Sequence, residues 1–282
     1  ASLGTDGCGF EQTLESAYKA LTPGTNPGFL RKDAALAVVI ISDEDDCSAS
    51  SDTLYDSSQQ GLNDPLGPLT SFRCFEFGVT CDINDRLKVG KRKGCVPAKA
   101  GGYLHPVDRY LKQLKQLKPA GQVVVSAIVG PSTPVEVGLQ GSYPTLKPSC
   151  SSSAGYAVPS VRLSYLVNAF GKRGSLHSIC DSDFSPALDA LGDLVTTQTQ
   201  LSWCLPYDPT DTDPLTPETI EGDCLVVGSK AGKIQACSQG VTGPCYRLVS
   251  SKTCAASSTV MELENITPAS LGDKVQATCL SL

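Results

Sequence analysis

Apolar and polar positions alternate in two distinct textures along this chain, with the change near residue 200. Residues 10–21 put Phe10, Leu14, Ala17, Tyr18 and Leu21 on one helical face, and the Pro- and Gly-bearing stretch 22–28 ends that helix. Residues 35–42 are a continuous Val- and Ile-rich run, too short for a domain helix. Such a run predicts a strand buried on both faces, as in a parallel sheet. Pro106 then opens a helix whose core stripe is Val107, Tyr110, Leu111, Leu114 and Leu117, with Lys and Gln outward. Residues 122–130 predict a second buried strand, and 160–170 a helix carrying Val161, Tyr165, Leu166, Ala169 and Phe170. A short strand over 175–180 leads to a last helix with Phe184, Leu188, Leu191 and Val195 inward and an acidic N-cap at its start. Helices that alternate with strands specify an α/β fold, here a partial doubly wound parallel sheet with flanking helices. Three strands are few for such a sheet, so it reads as incomplete.

Two stretches break the pattern. Residues 48–103 are irregular and hold Cys74, Cys81 and Cys95, which predicts an insertion pinned by disulfides. Beyond 200 the helical period disappears and short strand-like runs take over, with six cysteines from Cys204 to Cys279. That texture predicts a small disulfide-rich β module over 201–282, following an α/β domain over 1–200.

Composition narrows the function classes. The net charge of −6, with no basic block, argues against nucleic acid or an anionic membrane surface as partner. Residues 88–94, Lys-Val-Gly-Lys-Arg-Lys-Gly, read as a flexible basic loop. Thirteen cysteines with only two histidines, and no Cys-x-x-Cys pair, favour disulfides in an oxidising compartment over zinc. The candidates are Cys47, Cys74, Cys81, Cys95, Cys150, Cys180, Cys204, Cys224, Cys237, Cys245, Cys254 and Cys279. An odd total leaves one cysteine unpaired or joined to something outside the chain. No apolar run of about 20 residues occurs, so no membrane span is expected. The only methionine is Met261, so Ala1 is not an initiator position and a leader or a longer upstream segment is expected.

The acidic run Asp43-Glu44-Asp45-Asp46 follows the first strand. Asp43 falls at the carboxyl end of that strand, where parallel α/β sheets place their ligands. Carboxylates and hydroxyls there are hard donors suited to Mg²⁺ or Ca²⁺, and their mutual repulsion calls for a cation or for full hydration. Asp208, Asp211 and Asp213 lack the glycine and terminal glutamate of a calcium loop and read as a solvated linker. His105 and His177 read as structural, and no serine sits in a Gly-x-Ser-x-Gly elbow, so the chain is not expected to be an enzyme.

The segments Gly4–Leu21, Asn26–Ser48, Val107–Pro131 and Val161–Leu191 together resemble bacterial cell-surface proteins with a von Willebrand factor A-like domain, of the cysteine-rich lipoprotein and adhesin type. The resemblance implies a secreted or surface-exposed adhesion or protein-binding protein, lipid-anchored through a missing N-terminus. It also implies a Mg²⁺- or Ca²⁺-dependent site at the carboxyl end of the sheet. In that family the site uses an Asp-x-Ser-x-Ser loop after the first strand, a threonine-bearing loop and an aspartate after the fourth strand. Asp43 takes the place of the fourth-strand aspartate; Thr5 is the threonine candidate, although counting back from the helix puts Cys8 there. The rival alignment makes 36–50 the first strand, with Asp46, Ser48 and Ser50 as the motif. The fourth-strand reading is preferred, because Asp46 lies three residues beyond Asp43 and no later strand ends in an aspartate. The chain then resembles the second half of such a domain plus its tail. An upstream segment or a second chain would complete the sheet, and the ion would be held weakly here or not at all. The alternative is a disulfide-hardened structural subunit of an extracellular assembly, with no working metal site.

Overall fold

The computed structural model describes residues 9–31, 34–99, 102–118, 122–195, 201–210, 223–237, 241–250, 254, 257–266 and 275–280. In chain order the first part comprises α1 (Thr13–Leu21), β1 (Leu36–Ser42), α2 (Phe72–Gly78), β2 (Val79–Thr80), β3 (Gly90–Arg92), β4 (Val96–Pro97) and α3 (Val107–Leu117). There follow β5 (Val123–Val129), β6 (Val135–Gln140), β7 (Tyr143–Leu146), β8 (Cys150–Ser152), β9 (Gly155–Ala157), α4 (Val161–Asn168), β10 (Gly174–Ser178) and α5 (Ser185–Asp193). The tail contributes β11 (Leu201–Cys204), β12 (Cys224–Gly228), β13 (Gly232–Ala236), β14 (Cys245–Ser250), β15 (Thr259–Glu264) and β16 (Val275–Cys279). The protein is thus mixed α/β with a small parallel sheet. Two compact units can be separated, one of residues 1–30, 38–113 and 125–190, the other of 31–37, 114–124 and 191–282.

The three predicted strands form one sheet in the order β1-β5-β10. β10 runs parallel to β5, with Gly174 opposite Val125 and Ser178 opposite Val129. α3 and α4 are the helices of the two crossovers, as a parallel arrangement requires. β5 is buried along its whole length, as its unbroken apolar run predicts. β1 is not. Leu36 and Ile40 are buried on one face, but Val39 and Ile41 on the other are 43% and 67% exposed. The expectation of burial on both faces is therefore wrong for β1. Among the described residues no strand pairs with its outer edge.

The helices keep most of their predicted stripes. Leu14 and Leu21 of α1 and Val107, Tyr110 and Leu114 of α3 are buried. The two helices share an edge-to-face pair, Tyr18 and Tyr110, with ring centroids 5.8 Å apart. Arg109 lies over the Tyr18 ring and pairs with Glu15 at 2.7 Å. On α4 the buried residues are Val161, Arg162, Leu163, Ser164, Leu166 and Val167, while Tyr165 faces outward. α5 departs further: Phe184 and Leu188, expected inward, are exposed, and only Ala187 of the helix is buried. Asp183, just ahead of the helix, accepts from the Ser185 amide at 2.8 Å. Gly174 opens β10 under α4, where a Cβ would lie 2.2 Å from the Val167 carbonyl oxygen, so no side chain fits.

The insertion is more ordered than its composition suggests. It contains α2, and the basic stretch near 90 is no loose loop: β3 pairs antiparallel with β6, which pairs with β7. The Arg92 guanidinium is buried and donates to the carbonyls of Asp85, Lys88 and Gly90. Arg73 of α2 is 1% exposed and acts as a hub. Its guanidinium donates to the carbonyls of Leu54 (2.5 Å), Gly67 (2.7 Å), Pro68 (3.1 Å), Asp56 (3.2 Å) and Gln59. A buried guanidinium thus ties these turns together beside an apolar cluster of Cys47, Leu54, Cys74 and Leu104.

All twelve candidate cysteines pair. In the first unit the bridges are Cys47–Cys74, Cys81–Cys95 and Cys150–Cys180. In the second they are Cys204–Cys254, Cys224–Cys279 and Cys237–Cys245. The thirteenth, Cys8, lies outside the described residues. The tail strands make a six-stranded sheet in the order β11-β15-β14-β13-β12-β16, over a core of Leu205, Val226, Ile234, Tyr246, Leu248, Met261 and Leu263. No helix among the described residues is long and apolar enough to cross a membrane.

Candidate functional site

The loop leaving β1 is where the predicted residues gather. Ser42 closes the end of the strand, donating to the Glu44 carbonyl at 2.8 Å and accepting from the Glu44 amide at 3.2 Å. The Asp43 carbonyl accepts from the Val158 amide at 2.9 Å, and its side chain is exposed. The next residues turn back under the helices. Asp45 accepts from the amides of Arg162 at 2.9 Å and Leu163 at 3.1 Å, so it caps α4, whose own N-cap Ser160 makes no such bond. Burial nonetheless pushes the Asp45 carboxyl up to about 6, against the pull of these amides and of the Arg162 charge.

Asp46 and Ser48 cap α1 in the same way. The Leu14 amide donates to Asp46 Oδ1 at 2.8 Å and the Glu15 amide to Ser48 Oγ at 2.8 Å, while Ser48 Oγ donates to Asp46 Oδ1 at 2.5 Å. The other oxygen of Asp46 accepts from Arg162 Nη2 at 2.9 Å and Nε at 3.2 Å. Both side chains of this ion pair are almost wholly buried. Arg162 also donates to the carbonyls of His105 (2.8 Å) and Gly78 (3.3 Å), so its charge is fully engaged. Ser50 Oγ points elsewhere, donating to the Gly102 carbonyl at 3.1 Å. The Asp46-x-Ser48-x-Ser50 spelling is therefore structural in use: its first two members hold helices, and its third is apart from them. Thr5 lies outside the described residues.

Three carboxylates remain at the end of β1. Glu11 enters this group because the Cys47 amide donates to its carbonyl at 2.8 Å, bringing the segment before α1 against the loop. The Glu44 carboxyl is pushed up to about 7, first by burial and then by the charges of Glu11 and Asp43. Glu11 is raised too, by burial and by Asp43. Glu11 Oε2 is buried without a hydrogen-bond partner. Asp43, Glu44 and Glu11 are oxygen donors of the kind Mg²⁺ and Ca²⁺ take, and a cation would relieve their repulsion. Asp46 and Ser48 would add nothing to such a set, since their oxygens are already engaged. Glu11 and Arg162 carry no sequence signal for these roles; Arg162 meets Asp46 across 116 residues.

Among the described residues one tight group of potential ligand atoms exists, Cys237, Cys245 and Glu264, but its two sulfurs form a disulfide and do not bind metal. Asp208 of the acidic linker holds β15 instead, accepting from the Thr259 hydroxyl at 2.6 Å and the Ser258 amide at 2.9 Å. Asp211 and Asp213 lie outside the described residues. A cleft of about 360 Å³ adjoins Glu44 and Asp45 and is lined by no histidine. His177 lines a different cleft, of about 260 Å³, with Ser164 and Ser178. Compared with protein-family models, with curated proteins and with solved structures, the chain finds no match.

Proposed function

We propose that this chain is an extracellular, non-enzymatic protein-binding protein, built on part of a von Willebrand A-like α/β domain whose sheet continues past β1 in another polypeptide segment. The observation that carries the reading is the state of β1: a parallel-sheet strand at an edge, with Val39 and Ile41 exposed. Strands of this apolar type belong inside sheets covered on both faces, and an exposed apolar edge is a liability unless something pairs with it. Six disulfides suit an oxidising, extracytoplasmic setting. On this reading Asp43 is one ligand of a Mg²⁺ or Ca²⁺ site, and the segment that completes the sheet supplies the others.

Calorimetric titration with Ca²⁺ and Mg²⁺ tests it. The chain alone should bind only with a dissociation constant of about 1 mM or weaker, and Asp43→Ala should abolish that binding. Tight one-to-one binding would show a complete site within this chain and remove the need for a completing segment. The second reading, a disulfide-hardened structural subunit, is favoured by the use of Asp45, Asp46 and Ser48 as helix caps. No heat with either ion, in the wild type as in the variant, would select it.

A further inference from the structure

The cleft beside Glu44 is formed by the insertion and the β6–β7 hairpin, and nothing in the reading above uses it. Phe72 and Phe75 of α2 wall one side. Tyr143 and Tyr156 also line it, 49% and 65% exposed. Glu44 contributes a half-buried carboxylate which, among the described residues, has no ion-pair partner. Thr70 Oγ1, also in the lining, is buried and has no hydrogen-bond partner. Among the described residues no lysine, arginine or histidine lines the space. Aromatic faces, an unpaired carboxylate and an unsatisfied hydroxyl lack the same thing. A cation on an apolar stem would lay the stem on the rings, place its charge at Glu44 and donate an N–H to Thr70.

We propose that this cleft binds the side chain of a lysine or arginine presented by a partner protein. A bare metal ion would not use the aromatic walls, and a neutral apolar side chain would leave Glu44 and Thr70 unpaired. The site needs neither a divalent cation nor an added strand, so it stands or falls separately from the β1 reading. Among the described residues the charged groups around Glu44 are acidic: Glu11 from the segment before α1, and Asp43 and Asp45 on its own loop. Arg162, which faces Asp45, is engaged by Asp46.

The test is an NMR titration of the full chain in EDTA-containing buffer with blocked Gly-Gly-Lys-Gly-Gly and Gly-Gly-Arg-Gly-Gly peptides. The same peptide with norleucine is the neutral control. At about pH 8 the cationic peptides should give saturable shifts at the amides of Glu44, Thr70 and Tyr156, about tenfold tighter than norleucine. Glu44→Gln should remove the preference for charge. Tyr156→Ala, at an exposed position, should weaken binding without touching the fold, and keeps the test open if the Gln variant misfolds. Equal binding of norleucine, a preference unchanged in Glu44→Gln, shifts that map elsewhere, or no saturable shift with any peptide would each overturn the proposal.

Discussion

Glu44 and Asp45 are neighbours with opposite employment, and both hold their protons more tightly in the folded chain than out of it. Their ordinary values of 4.5 and 3.8 rise to about 7 and about 6, mainly through burial. A carboxyl raised in this way stabilises the fold fully below its unfolded pKa, and that contribution is lost as pH climbs through the folded value. Asp183 and Asp208, held low by hydrogen bonds, act with the opposite sign at more acid pH, and His105, held low by burial, does so nearer neutrality, while Glu11 and Glu76, raised by burial, add to the fall. Urea unfolding should therefore show stability falling between about pH 4 and pH 8. The loss from these two groups should be on the order of 3–4 kcal/mol, most of it from Asp45, once solvent screening of the half-exposed Glu44 is allowed for. Glu44→Gln should flatten the upper part of that fall and leave the variant more stable than wild type at about pH 8. Stability that rises over this range, identically in both proteins, would rule the explanation out.

At the scale of elements, one loop holds two helices. α1 and α4 take their N-terminal hydrogen-bond acceptors from Asp46, Ser48 and Asp45, and the buried Asp46–Arg162 pair locks the arrangement. Breaking a buried pair strands the surviving charge. Asp46→Asn should cost about 3–5 kcal/mol in urea unfolding, and Asp46→Asn combined with Arg162→Met clearly less than the two single losses added. Additive losses would mean that the two residues act independently. Local periodicity could reveal α1, α3 and β5, because each carries its own signal in 7 to 11 residues. It could not reveal that β1, Val- and Ile-rich like β5, has one face uncovered, since coverage depends on what else reaches that face. α2 was hidden because Phe72–Gly78 is only seven residues long and is organised by the buried guanidinium of Arg73. The acidic run was legible as a special place. That two of its four members are helix caps was not, because the capped amides lie 32 and 117 residues away.

For the molecule as a whole, covalent ties take over where apolar cores are small. The second unit carries bridges of very different span: Cys224–Cys279 encloses a separation of 55 residues and Cys237–Cys245 one of 8. Constraint of the unfolded chain grows with loop length, so replacing the long bridge by serines should cost about 4 kcal/mol and the short one about 2.5 kcal/mol. Thermal or urea unfolding of the two double variants checks this order, and a reversed order would show that local packing outweighs loop length. The pairing pattern has one more consequence. Each of the six bridges lies wholly on one side of the stretch between Cys180 and Cys204. A protease that nicks the backbone anywhere in that stretch leaves two polypeptides with no covalent bond between them, each still carrying three closed loops. Release of the C-terminal piece therefore needs no reductant.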